Sequence, residues 1–130
     1  MKKEVRHMGL LNKKGLAFEK IELSKSKIDS DKTAKIKVNI KNFKEKFDNI
    51  LLKTKTDDEN NQYIAISTPV IQLSPLDFPD KNTGEHEITI TPHNIPLSKM
   101  SFKIIVEVFG NNKEKPMLEK EFTLTVNKKS

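Results

Sequence analysis

The sequence predicts an all-β protein, specifically an antiparallel β-sandwich. From residue 16 onward, strand-length runs of alternating apolar and polar residues are separated by turn residues roughly every ten positions, which is typical of such sandwiches. The chain has 130 residues, a length that fits a single domain. Hydrophobic residues make up 35% of it and tryptophan is absent, so the predicted core consists of Ile, Leu, Val and Phe.

Residues 1–15 are predicted to form a flexible basic tail in front of the sandwich, which we place at residues 16–127. A short amphipathic helix that uses Val5, Met8 and Leu11 is the alternative for this segment. The basic residues of the tail, which ends in Gly15, are Lys2, Lys3, Arg6, Lys13 and Lys14.

Seven to eight strands are predicted, and the candidate segments are residues 16–23, 33–41, 49–55, 62–66, 70–73, 85–91, 100–109 and 117–126. The clearest is 33–41, where Ala34, Ile36, Val38 and Ile40 alternate with polar residues. A shift by one residue would bury the lysines of this strand, so its register is tightly specified. Ile28, in the turn-rich stretch before it, is expected in the core.

Proline, glycine and asparagine mark the connections between strands. Pro69 and Pro75 bracket residues 70–73, which we predict to be an edge strand because proline cannot donate to a sheet ladder. Residues 79–84 form a strong turn cluster, and residues 110–112 begin a hairpin turn. The link at 42–49 is ambiguous, since Phe43 and Phe47 are spaced as in a single helical turn.

The order of these strands resembles that of an immunoglobulin-like sandwich. Residues 33–42 followed by 49–52, and residues 84–92 followed by 100–108, resemble strands of the cell-adhesion-related domains of archaeal and bacterial proteins. In those domains an alternating strand ends in Asn before a loop and a strand of the form Asn-apolar-x-apolar. The resemblance covers residues 16–127 and implies an immunoglobulin-like antiparallel β-sandwich that serves as a spacer or adhesion module.

Composition excludes several classes of protein. Cysteine is absent, which excludes disulfides and thiolate metal sites. The uninterrupted apolar runs are far shorter than the ~20 residues of a membrane-spanning helix. The basic start is followed by Glu4, Arg6 and His7 where a signal peptide would be apolar. A cytoplasmic location is therefore expected, or an extracellular one if the chain is a domain excised from a longer protein.

The sequence also predicts that the protein is not an enzyme. It has no Cys nucleophile, no Gly-x-Ser-x-Gly elbow and no Gly-rich phosphate loop. The acidic run at residues 57–61 lies at a predicted turn tip, where nothing would desolvate paired carboxylates, and it is at best a weak calcium candidate. We expect no cofactor and no small-molecule substrate.

The histidines are weak candidates for a metal site. His86 and His93 flank one predicted strand, but their spacing matches no known zinc motif, so surface histidines are expected. Asp80, Asn82 and Gly84 imitate the opening of a calcium loop without its remaining ligands, and a plain turn is expected there. No metal is predicted.

A formal net charge of +6 raises the possibility of nucleic-acid or anionic-surface binding. The candidate residues lie on two outward strand faces, Lys35, Lys37 and Lys41 on one and Lys53 and Lys55 on another. The predicted topology places these faces in different sheets, with Glu87 beside the first set. Binding through them and the tail would be weak, salt-sensitive and independent of base sequence. This function is the alternative.

The favoured function follows from apolar residues in outward positions. Leu51, Ile105 and Phe109 lie in the phase opposite the predicted core, and strands 49–55, 100–109 and 117–126 are expected to share a sheet. Either these side chains form an exposed partner-binding patch, or a loop, the tail or residues 43–48 covers them. The patch predicts protein binding or self-association. Its expected charged rim is Lys53, Lys103, Glu107 and Glu121.

Overall fold

The structure is a computed structural model that describes residues 15–42, 47–73, 75–76 and 82–129. Within these ranges the chain forms nine β-strands and one 3-10 helix (Asp58–Tyr63), and it has no helix of the length and apolar character that a membrane span requires. The strands are β1 (Leu16–Leu23), β2 (Lys27–Asp29), β3 (Ala34–Asn42), β4 (Ile50–Thr56), β5 (Ile64–Ile66), β6 (Val70–Leu73), β7 (His86–Pro92), β8 (Lys99–Gly110) and β9 (Leu118–Asn127).

The strands form two sheets that enclose one core. Sheet A has four strands in the order β1-β3-β7-β5, and sheet B has five in the order β2-β9-β8-β4-β6. The strands pair antiparallel throughout, except for β2, which runs parallel to β9. This architecture confirms the predicted all-β, immunoglobulin-like antiparallel sandwich.

Alternation along β3 produces the burial that the sequence predicts. Ala34, Ile36, Val38 and Ile40 are buried, while the lysines between them point to the outer face of sheet A. β3 pairs with β1 on one side and β7 on the other. The prediction that strands 33–41 and 49–55 lie in different sheets is also confirmed, because β3 belongs to sheet A and β4 to sheet B.

Sheet B is built around β8, which pairs with β9 on one side and β4 on the other. Burying an aliphatic or aromatic side chain contributes about 1.5–3 kcal/mol, so β8 is a main source of stability. Because its inward positions are fixed, residues 103, 105, 107 and 109 face away from the core. The inward and buried side chains of β8 are Phe102, Ile104, Val106 and Val108.

Two elements differ from the sequence prediction. β2 was not predicted, because it has only three residues and its strand character comes from parallel pairing with residues 125–127. Ile28 at its centre is buried, as expected. Residues 62–63 were predicted to begin a strand but belong to the 3-10 helix, so β5 starts at Ile64.

The chain turns sharply after β8, at the start of the loop that leads to β9. Asn111 and Asn112 have φ angles of 51° and 60°, and the Lys113 amide donates to the Gly110 carbonyl at 3.2 Å. Two successive residues with positive φ define the turn that matches the twist of a β-hairpin, and asparagine tolerates that conformation. The predicted hairpin turn at 110–112 is therefore confirmed.

Some predictions fall outside the described residues. They are the tail up to residue 14, the helical turn that would pair Phe43 with Phe47, and the part of the turn cluster at 79–81 that includes Asp80. Phe47 itself is buried and pairs with Leu76 through two backbone hydrogen bonds of 2.9 Å.

Candidate functional site

The outward apolar residues lie on the exposed face of sheet B, where β4 and β8 are neighbours. Leu51 lies directly opposite Phe109 on the neighbouring strand, so these two side chains lie next to each other on the surface. Ile105 lies two rows further along β8, separated from Phe109 by Glu107. The cross-strand pairs are Leu51 with Phe109, Lys53 with Glu107, and Lys55 with Ile105.

The apolar residues of this face are half-buried. Leu51, Ile105 and Phe109 all have intermediate exposure. Val70 on edge strand β6 lies opposite Lys53 on the same face and is 56% exposed. Val70 was not among the residues predicted for this face. A depression of about 250 Å³ lies beside Leu51 and Phe109, and its lining is Asn49, Leu51, Lys53, Phe109, Asn112, Lys113 and Glu114.

The lysines of β4 are held by contacts within the face. The Lys53 ammonium lies 4.8 Å from the centre of the Phe109 ring, a cation–π contact that contributes about 0.5–1 kcal/mol at an exposed site. Lys55 Nζ lies 3.5 Å from a carboxylate oxygen of Glu107, whose side chain is 15% exposed. These contacts place the Lys53 ammonium over the Phe109 ring and the Lys55 ammonium beside Glu107, so charged groups border the apolar residues.

Charges on this face are sorted by strand. β4 contributes the two lysines, and β9 contributes Glu119 and Glu121 in the same two rows. Glu107 on β8 faces Glu119 directly, and like charges at directly opposite positions are destabilising. Lys103 is exposed one row beyond Ile105, opposite Thr123. The two full rows across β4, β8 and β9 are Lys53–Glu107–Glu119 and Lys55–Ile105–Glu121.

The lysines of sheet A do not form a uniformly basic surface. Lys35 Nζ lies 3.5 Å from Glu87, and Lys37 pairs across the strands with the same glutamate, as predicted. Lys41 is half-buried and pairs with Ala17 of β1. Sheet A therefore presents mixed charge, and its lysines are separated from Lys53 and Lys55 by the thickness of the sandwich.

An exposed ion pair on sheet A reinforces this mixture. Lys20 on β1 reaches across β3, donates to Glu85 at 3.0 Å and lies 3.6 Å from Glu22. The hydrogen bond from Lys20 lowers the pKa of Glu85 below its ordinary value, and the bond to Glu85 raises the pKa of Lys20. Both groups are solvent-exposed, so this ion pair between β1 and the residue before β7 contributes little to stability.

A second depression, about 380 Å³ in volume, lies beside β2. Its lining includes three lysines, which no sequence pattern marks because they lie in a turn-rich stretch without periodicity. Lys25, Lys27 and Lys32 line it together with Asp29, while the lysines nominated for nucleic-acid binding do not.

The two histidines cannot share a metal ion. His86 begins β7 and His93 follows its end, so they are about 23 Å apart at the rise of an extended strand. Asn82 accepts a hydrogen bond from the Gly84 amide at 2.9 Å and so serves the turn that the sequence predicts. Asp57 accepts one from the Lys103 amide at 3.2 Å. Across the described ranges, no group of three His, Asp or Glu side chains could hold a metal.

Comparison with known proteins supports the fold and leaves the activity open. No protein-family model and no curated protein sequence matches the chain. It is similar in structure to the periplasmic chaperone SfaE, with 11% sequence identity and a TM-score of 0.53 over 85% of this chain and 58% of that one. It is similar to the YadV chaperone, with 13% identity and a TM-score of 0.53 over 85% of this chain and 52% of that one.

A third similar structure is the CARDB domain of a Pyrococcus furiosus protein, with 14% identity and a TM-score of 0.47 over 85% of this chain and 91% of that one. The chain spans about half the length of the two chaperones. At these identities the likeness concerns the fold, and the immunoglobulin-like sandwich that the sequence resembles is confirmed.

Proposed function

We propose that this chain is a non-enzymatic protein-interaction module that binds its partner through the outer face of sheet B. The observation that carries the proposal is the Leu51–Phe109 pair, which stays half-buried beside an exposed Val70 and an open depression. Apolar residues surrounded by charged ones are typical of protein-binding surfaces, whereas scattered single apolar residues are not.

The proposed mechanism places an apolar side chain of the partner in the depression. There it would contact Leu51 and the Phe109 ring, with Lys53 at the edge. Desolvated aromatic and aliphatic contacts near the centre of an interface supply most of its affinity. The charges of Lys55 and Glu107 would set orientation and the rate of association rather than affinity.

A non-enzymatic role is supported by where the shifted pKa values occur. The pKa values of Lys20 and Glu85 are shifted, and these two groups form an exposed ion pair on the other sheet. Catalytic groups are usually perturbed by burial within a cleft. Neither depression contains a nucleophile hydrogen-bonded to a base.

The proposal is tested by capture with matched variants. Phe109→Ser removes the ring from the depression, and Leu97→Ser removes an apolar side chain that is 58% exposed two residues before the other end of β8. The immobilised wild-type chain and the Leu97 variant should retain the same proteins, and the Phe109 variant should lose at least one of them by about tenfold or more. Circular dichroism checks that each variant is folded.

Equal capture by all three proteins would overturn the proposed surface. The alternative is tested in parallel by titrating a polynucleotide across a range of salt concentrations. Nucleic-acid binding would be favoured if the protein retards the polynucleotide in a gel, if the affinity falls steeply with salt, and if Lys35→Gln/Lys37→Gln reduces that salt dependence. This conclusion also requires that Phe109→Ser leaves protein capture unchanged.

A further inference from the structure

We infer that the partner of the outer face of sheet B is a second copy of the same chain, packed face to face about a two-fold axis that runs along β8. This inference rests on the proposed function, because it names the occupant of the same surface. It is derived from the arrangement of charge across β4, β8 and β9, which is self-complementary.

The lysines and glutamates occupy mirrored positions on either side of β8. Lys53 and Lys55 on β4 lie in the same rows as Glu119 and Glu121 on β9, with one residue of β8 between each pair. Neighbouring strands are about 4.8 Å apart, so the basic and acidic columns each lie about 5 Å from the β8 line. The two lysines of β4 and the two glutamates of β9 also have the same spacing along their strands, since the members of each pair are two residues apart in sequence.

A half-turn about the β8 direction exchanges the two columns. In the resulting stack the β4 lysines of each copy lie over the β9 glutamates of the other, which forms two equivalent sets of ion pairs. Ile105 and Phe109 lie on β8 itself and therefore meet their own counterparts near the axis. An isologous interface of this kind closes on itself and gives a dimer rather than a filament.

The acidic column lacks a compensating cation among the residues that the structure describes. Among the described residues, neither Glu119 nor Glu121 has a cation within ion-pair distance, and Glu119 faces Glu107 across the ladder. A cationic neighbour would offset this repulsion. Glu107 also lies near the proposed axis, where its bridge to Lys55 would limit repulsion between the two copies.

The area of the face predicts a weak dimer. The three strands that overlap under this rotation, β4, β8 and β9, lie about 4.8 Å apart, and eight residue steps of about 3.4 Å give a flat area of roughly 400 Å² per copy. Two such faces bury about 800 Å² in total, which is below the size of stable specific interfaces. Assembly should therefore become visible at high protein concentration and should weaken with added salt, which screens the exposed ion pairs.

Charge reversal of each column tests the geometry. The wild-type chain should dimerise in sedimentation equilibrium at concentrations up to about 0.5 mM, the range in which weak interfaces are populated. Lys53→Glu/Lys55→Glu makes both columns acidic, and Glu119→Lys/Glu121→Lys makes both basic. Each variant alone should dimerise at least tenfold more weakly. An equimolar mixture should regain the wild-type affinity, because each acidic column then meets a basic one.

Two further variants control for fold and for unspecific charge effects. The first variant exchanges the basic and acidic columns within one chain and should dimerise again; it combines Lys53→Glu/Lys55→Glu with Glu119→Lys/Glu121→Lys. Lys35→Glu/Lys37→Glu makes the same charge change on the outer face of sheet A and should leave the dimerisation constant within about threefold of wild type.

The outcomes separate this inference from the proposed function. A wild-type chain that remains monomeric, reversed variants that dimerise normally, or a mixture that does not recover would each overturn the second copy as partner. If Phe109-dependent capture of a different protein persists in that case, the proposed function stands. Loss of both self-association and capture would overturn both.

Discussion

Two threonines on β4 should respond with opposite signs to the same substitution. Thr54 and Thr56 both point into the core and are 3% and 7% exposed. The Thr54 hydroxyl has no hydrogen-bond partner among the described residues. The Thr56 hydroxyl lies 2.9 Å from the Lys103 carbonyl and 3.1 Å from a carboxylate oxygen of Asp57, and it donates to one of them at a time.

The expected magnitudes follow from this difference. A buried hydroxyl without a partner is destabilising by about 1–3 kcal/mol, so Thr54→Val should raise the free energy of unfolding by about 1–2 kcal/mol. Thr56→Val removes a hydrogen bond and should lower the free energy of unfolding by about 1 kcal/mol. The two variants should therefore differ by about 2–3 kcal/mol, although the chemical change is identical.

Urea denaturation followed by circular dichroism measures the free energy of unfolding of both variants. An unchanged dependence of this free energy on urea concentration shows that the unfolded states are comparable. The pair is internally controlled, because both residues lie on the same strand and face and the gain in β-propensity on going to valine is shared. If Thr54→Val destabilises the protein as much as Thr56→Val does, the Thr54 hydroxyl has a partner and the reasoning is wrong.

Three further outcomes are expected. Gly110→Ala should lower the free energy of unfolding by about 1–3 kcal/mol, because the new methyl group would lie 2.9 Å from the buried Phe47 ring; urea denaturation measures it. Gly84→Ala should lower the free energy of unfolding by about 1–2 kcal/mol through its φ of +82° alone, since none of the described residues lies within 4 Å of the added group; a destabilisation well above 2 kcal/mol in urea denaturation would contradict this. Lys20 lowers the pKa of Glu85, so the ionised carboxylate contributes stability that is lost as the pH falls below about 4.5; Glu85→Gln should flatten that acid limb in denaturation midpoints recorded against pH.

The strands that alternate over their whole length could be predicted from sequence alone. β3 and β8 each have four or more inward apolar residues, and a register error would bury lysines or expose the core. β2 could not be predicted, because a three-residue strand with one apolar residue has no periodicity of its own. Its pairing exists only because the rest of the fold brings residues 125–127 beside it.

The candidate face was predictable in part. The outward phase of Leu51 and Phe109 follows from alternation, and their direct pairing follows once β4 and β8 are neighbours. The position of Val70 could not be predicted, since a four-residue edge strand gives no clear indication of its register. The position of Glu119 opposite Glu107 depends on the length and shape of the loop between β8 and β9, which a pattern of hydrophobicity does not determine.

The position of β9 between β2 and β8 has a consequence for synthesis of the chain. Residue 28 pairs with residue 126, so sheet B is incomplete until the segment that forms β9 has left the ribosome. Until then β2 has no partner and the long, apolar β8 has one unpaired edge, which is the kind of surface that recruits other nascent chains. Premature termination before residue 118 should therefore yield aggregates rather than a smaller folded protein.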